Sequence, residues 1–418
     1  MKKLLKLLPF LLILLLLQTQ RPALADGPPP ALAFYYAWFD EATWTSGLPA
    51  DYPAQLYRSA DPATIERQVI QAQNAGISAF VQSWYGPQVE NNQTETNFSA
   101  LLNIAAQHTF QAAVDVEVTG PFFPDTASVQ QALATLMATH VKHPAYLRYR
   151  GKPVIFFWRQ QRFDAATWTA IRQAVDPDRN TWWIAEGLDL SYLEPFDGLH
   201  LYSIAWANNP VAELNKWPPR IQQVENRLGT DKLWIATAMP GYNDLNLGRA
   251  DSFTRARNNG QFYRQSWAAA LATRPDMLII TSFNEWLEGT QIEPGATYGN
   301  FYLDLTRQLV NESGAAPPNA PLVAPPQTKT APTEPQPASP TAPVVVTKRS
   351  LSAGGFYTVQ PGDTLYAIAF TFDVPLQTLL QANNITAEDI LSVGQKLLVP
   401  TLKSKRILLS EQEKNIPR

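Results

Sequence analysis

Eight short apolar runs recur between residues 31 and 283: ALAFYYAWF (31–39), ISAFVQSW (77–84), QAAVDVEV (111–118), KPVIFFW (152–158), TWWIAE (181–186), GLHLYSI (198–204), KLWIATAM (232–239) and MLIITSF (277–283). Gly, Pro or Asp bounds each of them. Helical signals lie between, as in DPATIERQVIQAQNAG, where Asp61 can cap, Pro62 suits the first helical position and Gly76 stops the helix. ASVQQALATLMATHVKH, NPVAELNKWPPRIQQVENRLG and NGQFYRQSWAAALATR read the same way. Near-continuous apolar strands alternating with helices predict an α/β chain folded as a (β/α)8 TIM barrel. An open doubly wound sheet is the alternative. Against it, no Gly-rich phosphate turn follows the first run, which continues AWFDEATW.

The barrel pattern ends abruptly. From Gly314 to about Ser350 the chain is rich in Pro, Ala and Thr and has no hydrophobic period, so an extended, polyproline-like linker is expected over 314–350. It separates a large domain (26–313) from a small one (356–400), which a polar tail (401–418) follows. At the other end, MKKLLKLLPFLLILLLL is a basic start leading into an apolar run, and Ala23 and Ala25 place small residues before a cut. Residues 1–25 are thus expected to be a signal peptide cleaved before Asp26, the alternative being a retained membrane anchor. The chain has no cysteine, which excludes disulfides, thiol chemistry and Cys-ligated metal. With 33 basic against 36 acidic residues and no long run of either sign, no footprint for nucleic acid is visible.

A barrel gives function an address, because active sites lie at the C-terminal ends of its strands. Trp38 and Asp40 fall there after the first run, Ser83, Trp84 and Tyr85 after the second, and Glu117 at the third. Trp158, Arg159, Glu186, Tyr202, Tyr242 and Asp244 continue the rim, and Asn284, Glu285 and Glu288 follow the eighth run. This set is aromatic and carboxylate-rich. With only four histidines in the chain, a metal hydrolase is a weak reading, and neither metal nor cofactor is expected. Glycoside chemistry remains, since it needs carboxylates for proton transfer and aromatic faces for sugar rings. Glu285 and Glu288 stand three apart around Trp286, a spacing that in a helix or turn brings Cβ atoms to about 5–6 Å. Such closeness suits a retaining enzyme and pushes the two pKa values apart. A bare E-x-x-E can equally be a solvated acidic loop, and any single Trp can be core.

SFNEWLEGTQIEP (282–294) is similar to the W-N-E-W-H-E-G-T-Q-I-E motif of glycoside hydrolase family 99, the endo-α-mannosidases and endo-α-mannanases. AFYYAWF, SWYG, HPAYLRYRGKPVIFF, DGLHLY and PGYND follow in the family's order across the large domain. The resemblance implies a barrel that cleaves within an α-linked glycan with retention, through neighbouring-group participation and without metal. It implies that Glu285 is a base on the sugar's own 2-hydroxyl. Glu288 would then protonate the leaving oxygen and afterwards activate water. It implies further that Tyr36, Trp84, Glu117, Tyr202 and Asn284 bind substrate. One departure stands out: Leu287 occupies the place of the family's histidine, which puts the identity of the sugar in doubt.

YTVQPGDTLYAIAFTFDVPLQTLLQANNITAEDILSVGQKLLVP (357–400) reads as strand, helix, helix, strand, with Ile368, Leu379, Leu380 and Leu397 as its core. It resembles a LysM domain over its full length. That implies binding of N-acetylglucosamine-containing glycan, peptidoglycan or chitin-like, through Gly362, Asp363, Thr364, Leu365, Ile390 and Leu391. The whole chain is therefore expected to be a secreted, cell-wall-associated endo-glycosidase acting on an α-linked polysaccharide, α-mannan being one such polymer. Two alternatives are a hydrolase of another wall or capsular glycan and a non-catalytic carbohydrate-binding barrel.

Overall fold

The structure, a computed structural model, describes residues 28–249, 251–315, 355–359, 368, 376–385 and 395–400. The expected signal peptide, the linker beyond residue 315 and the tail lie outside the described residues. So do the six residues expected to bind glycan in the small domain: Gly362, Asp363, Thr364, Leu365, Ile390 and Leu391.

All eight apolar runs are strands of one closed parallel barrel: β1 (Ala31–Tyr35), β2 (Ala79–Trp84), β3 (Gln111–Glu117), β4 (Lys152–Trp158), β5 (Trp182–Glu186), β6 (Gly198–His200), β7 (Leu233–Ala238) and β8 (Met277–Ile280). Neighbours pair in chain order, and β8 closes the ring onto β1 with Ala31 opposite Leu278. The strands are apolar throughout because helices cover their outer faces while side chains fill the interior. Phe34, Phe156 and His200 meet at the axis, with ring centroids 5.4–6.2 Å apart. Burial among these rings pushes His200 down to about 3, so it is a neutral core imidazole.

Helices follow most strands: α1 (Pro62–Asn74), α2 (Gln93–Gln107), α3 (Thr126–Ala138), α4 (Ala165–Val175), α5 (Trp217–Leu228), α6 (Gln261–Ala272) and α7 (Phe301–Ala315). Asp61 caps α1 by accepting from the Ala63 amide, with Pro62 in the first turn, as its sequence implies. Gly76 follows α1 at φ +80°, and a Cβ placed there would lie 2.7 Å from Val310 of α7, so a side chain would strain the backbone and collide. Asn92 and Asp164 cap α2 and α4 through side-chain oxygens. The alternation breaks once. Too few residues separate β5 from β6 for a full helix, and only a 3-10 turn (Leu190–Leu193) forms there. Arg172 of α4 lies under these two strands, paired with Asp197 at 2.9 Å and stacked on Trp183.

In the small domain β9 (Phe356–Thr358) runs antiparallel to β10 (Lys396–Leu398), with Tyr357 opposite Leu397. Helix α8 (Leu376–Asn383) precedes β10. Ile368, Leu379, Leu380 and Leu397 are buried together with Val359 and Val399, as their pattern implies. Asn383 joins α8 to β10, its amide donating to the Leu398 carbonyl and accepting from the Leu398 N–H.

Candidate active site

Beyond Ile280 the eighth strand leaves the sheet and turns back on itself. The Thr290 amide donates to the Glu285 carbonyl at 3.2 Å, closing a turn that holds both glutamates. Asn284, fully buried at its start, accepts from the Tyr36 amide and donates to the Tyr36 carbonyl, each at 2.8 Å. Its side-chain amide thus stands in for a strand partner just where β1 runs out of one. Asn284 therefore positions Tyr36 and does not itself face the cleft. Trp286 points away from the carboxylates between which it sits, donating to Glu293 at 3.0 Å. Glu293 also accepts from Gln68 and Tyr57, so this third glutamate of the motif is a structural anchor.

The remaining groups converge. The hydroxyls of Tyr36 and Tyr202 are 2.7 Å apart, and Tyr202 donates to Glu288 Oε2 at 3.2 Å. Arg249 donates to the other Glu288 oxygen at 3.0 Å and lies 3.7 Å from Asp244. Glu285 is 4% exposed, and its Oε1 accepts from the Leu287 amide at 3.0 Å. Burial raises the pKa of both glutamates. Glu285 is driven well above the carboxylate range, with the charge of Glu288 adding to its burial, whereas the Arg249 guanidinium and Tyr202 hydroxyl restrain the rise at Glu288. Both tyrosines are raised well above their ordinary value by burial and the nearby carboxylates, so they are neutral donors. Glu117 accepts from Ser83 at 2.6 Å and is pushed up to about 7, chiefly by burial. Trp158 packs edge-on against Tyr202, and Trp38 stacks on Tyr85.

Trp84 corrects the sequence expectation. It is fully buried, and its indole donates to Glu95 of α2, so it does not face substrate. The pleat explains this. Ser83 points inward to Glu117, so its neighbour must point out to the helix layer. Asp40 caps a short helix (Glu41–Thr45) through the Thr43 amide. Arg249 had no signal in the sequence, being one arginine in an irregular loop. Only the fold brings it to Glu288.

Six carboxyls of the barrel domain, Asp115, Glu117, Glu186, Glu285, Glu288 and Glu293, are all raised by burial. An acid with a higher pKa in the folded chain than in the unfolded one binds its proton more tightly when folded. Its contribution to stability is complete below the ordinary value of 4.5 and is lost as pH rises through about 7 for Glu117 and Glu293. Thermal unfolding of the large domain should therefore show Tm falling between about pH 5 and pH 8. A Tm that climbs across that window would contradict the assignment of these carboxyls.

A closed parallel barrel with paired carboxylates and aromatic rings at the C-terminal ends of its strands is the equipment of a glycoside hydrolase. The glycosyl hydrolase family 99 model matches residues 49–308, and the chain belongs to that family. A LysM domain matches residues 357–400. The chain is 27% identical over 329 residues to a mouse glycoprotein endo-alpha-1,2-mannosidase-like protein, a match covering 65% of this chain and 71% of that one. It is 26% identical over 269 residues to the rat glycoprotein endo-alpha-1,2-mannosidase, covering 59% of this chain and 58% of the relative. Among solved structures, the family 99 endo-alpha-mannosidase of Bacteroides thetaiotaomicron superposes with a TM-score of 0.59 at 27% identity, covering 69% of this chain and 98% of that one.

Proposed function

We propose that the chain is an endo-acting, retaining hydrolase of an α-linked polysaccharide, α-mannan being the first polymer to try. In this reading residues 1–25 direct secretion, residues 26–313 carry the activity, and residues 314–350 tether the LysM domain of 356–400. That domain holds the enzyme at the cell wall through N-acetylglucosamine-containing glycan such as peptidoglycan. A second binding site on a tether raises the local concentration of substrate without altering the chemistry.

The observation that carries the reaction is the hydrogen-bonded series Tyr36–Tyr202–Glu288–Arg249 beside buried Glu285. Glu285 accepts the proton of the sugar's 2-hydroxyl as that oxygen attacks the anomeric carbon. Glu288 gives its proton to the departing glycosidic oxygen, leaving a 1,2-anhydro sugar. Water then adds at the anomeric carbon while Glu288 takes its proton and Glu285 returns the first one to the 2-oxygen. Two inversions give net retention. In the free protein burial raises both carboxyls, the charge of Glu288 adding to the rise at Glu285 and Arg249 restraining it at Glu288. A 2-hydroxyl donating to Glu285 stabilises its ionised form, the base the reaction needs. Leu287, half-buried against the core, lacks the hydrogen-bonding group that the family's histidine offers, which favours testing wall and capsular glycans beside mannans.

The test is product release by the purified full chain from a panel of α-mannans and wall or capsular glycans. Oligosaccharides released from an α-linked polymer, with retained anomeric configuration in the first products seen by NMR, support the reading. Inversion, or binding without release on every polymer, counts against it.

A further inference from the structure

The large apolar side chains left in water on the barrel domain are not scattered. Leu48, Leu56, Val89, Leu188, Val211 and Leu245, together with Trp206, are exposed, and all lie in connections that leave the C-terminal ends of strands. Among the described barrel residues only Ile70, on α1, is a large exposed hydrophobe elsewhere. Trp206 differs from the rest in being both large and immobilised. It is 47% exposed, yet its indole N–H is already satisfied by the Ser203 carbonyl at 2.8 Å. The loop beneath it is tied down too. The Ala205 amide donates to Ser203 Oγ at 3.2 Å, and Arg255 donates to the carbonyls of Ala205 and Ala207. A tryptophan in this state exposes a rigid apolar face whose polar edge needs nothing from water. It follows Tyr202 by four residues, so the two Cα atoms are at most about 14 Å apart, within a few sugar units of the carboxylates.

We propose that Trp206 is a stacking platform for a sugar ring of the glycan chain away from the scissile bond, and that it makes the enzyme demand a long substrate. The inference rests on the glycosidase reading above and deepens it. The indole contributes to binding through the C–H face of a pyranose, a contact with little ordering cost because the ring and its loop are already fixed.

The experiment compares wild type, Trp206→Ala and Trp206→Phe in the full chain on α-mannan oligosaccharides of increasing length. For wild type, kcat/KM should rise with length. Trp206→Ala should be about tenfold lower on the longest substrates, equivalent to about 1.4 kcal/mol, and unchanged on the shortest. Trp206→Phe should recover most of the loss, which a merely disordered loop would not allow. An equal loss at every length, or no loss, overturns the platform. If wild type turns over none of these oligosaccharides, the reading of the substrate fails separately. The platform is then judged by calorimetric titration of α-mannan and wall-glycan fragments into wild type and Trp206→Ala, where equal affinities for every fragment overturn it.

Discussion

Glu288→Gln should lower kcat/KM on the enzyme's polysaccharide by roughly 10²–10⁴, the contribution expected of a positioned acid and base. Glu285→Gln should fall in the same range. The double variant should be little worse than either single one, because the two groups act in one proton cycle. Stability should separate this loss from misfolding. Glu285 is buried next to a like charge and, among the described residues, its side chain accepts one hydrogen bond, from the Leu287 amide. A glutamine there keeps that acceptor and removes the repulsion, so Glu285→Gln should unfold no earlier than wild type at pH 8. Glu288→Gln gives up the Arg249 pair, yet Arg249 is 41% exposed and regains water, so the cost is small. Reducing-end release and thermal unfolding on the same preparations check both statements. Activity within a few-fold of wild type in either variant would remove the pair from the chemistry and point back to a sugar-binding barrel.

The barrel was legible because its evidence is periodic. Eight apolar runs at regular spacing admit few folds, and each run became a strand. The site was legible only in part. Glu285, Glu288, Tyr36 and Tyr202 lie at strand ends, where a barrel places its chemistry, and the structure brings them into one network. Trp84 and Asn284 lie at strand ends too, but face the wrong way for substrate. Strand position does not say which side of the wall a residue faces, and only the pleat decides it. Arg249 was invisible because an irregular loop carries no period from which its direction could be read. Glu293 was visible as a residue but not as a role. Its three donors are Tyr57, Gln68 and Trp286, the first two more than two hundred residues from it in the chain.

That arrangement makes Glu293 the most sensitive structural position near the site. Glu293→Ala leaves the Tyr57 hydroxyl and the Gln68 amide without their acceptor in a region closed to water, leaves the Trp286 indole its longer contact to the Tyr57 hydroxyl, and opens a hole beside them. Each orphaned donor costs about 1–3 kcal/mol, but the three share one space and can partly re-pair, so a loss of about 3–5 kcal/mol is expected. That is a large fraction of the stability of an ordinary domain. Denaturant unfolding of the variant should show a lower midpoint with an unchanged slope. Activity should fall as well, even in dilute buffer where the chain is folded, because Trp286 is the spacer that aims Glu285 and Glu288 and Glu293 is what holds it. Glu293→Gln distinguishes the two effects. It keeps one acceptor oxygen for the indole and the hydroxyl, so it should retain most activity. It should also lose part of the decline in Tm between pH 5 and 8, since the group whose pKa stands at about 7 no longer titrates. A Glu293→Ala protein as stable as wild type would mean that the three donors find other partners, and the anchor would then have to be sought elsewhere in the turn.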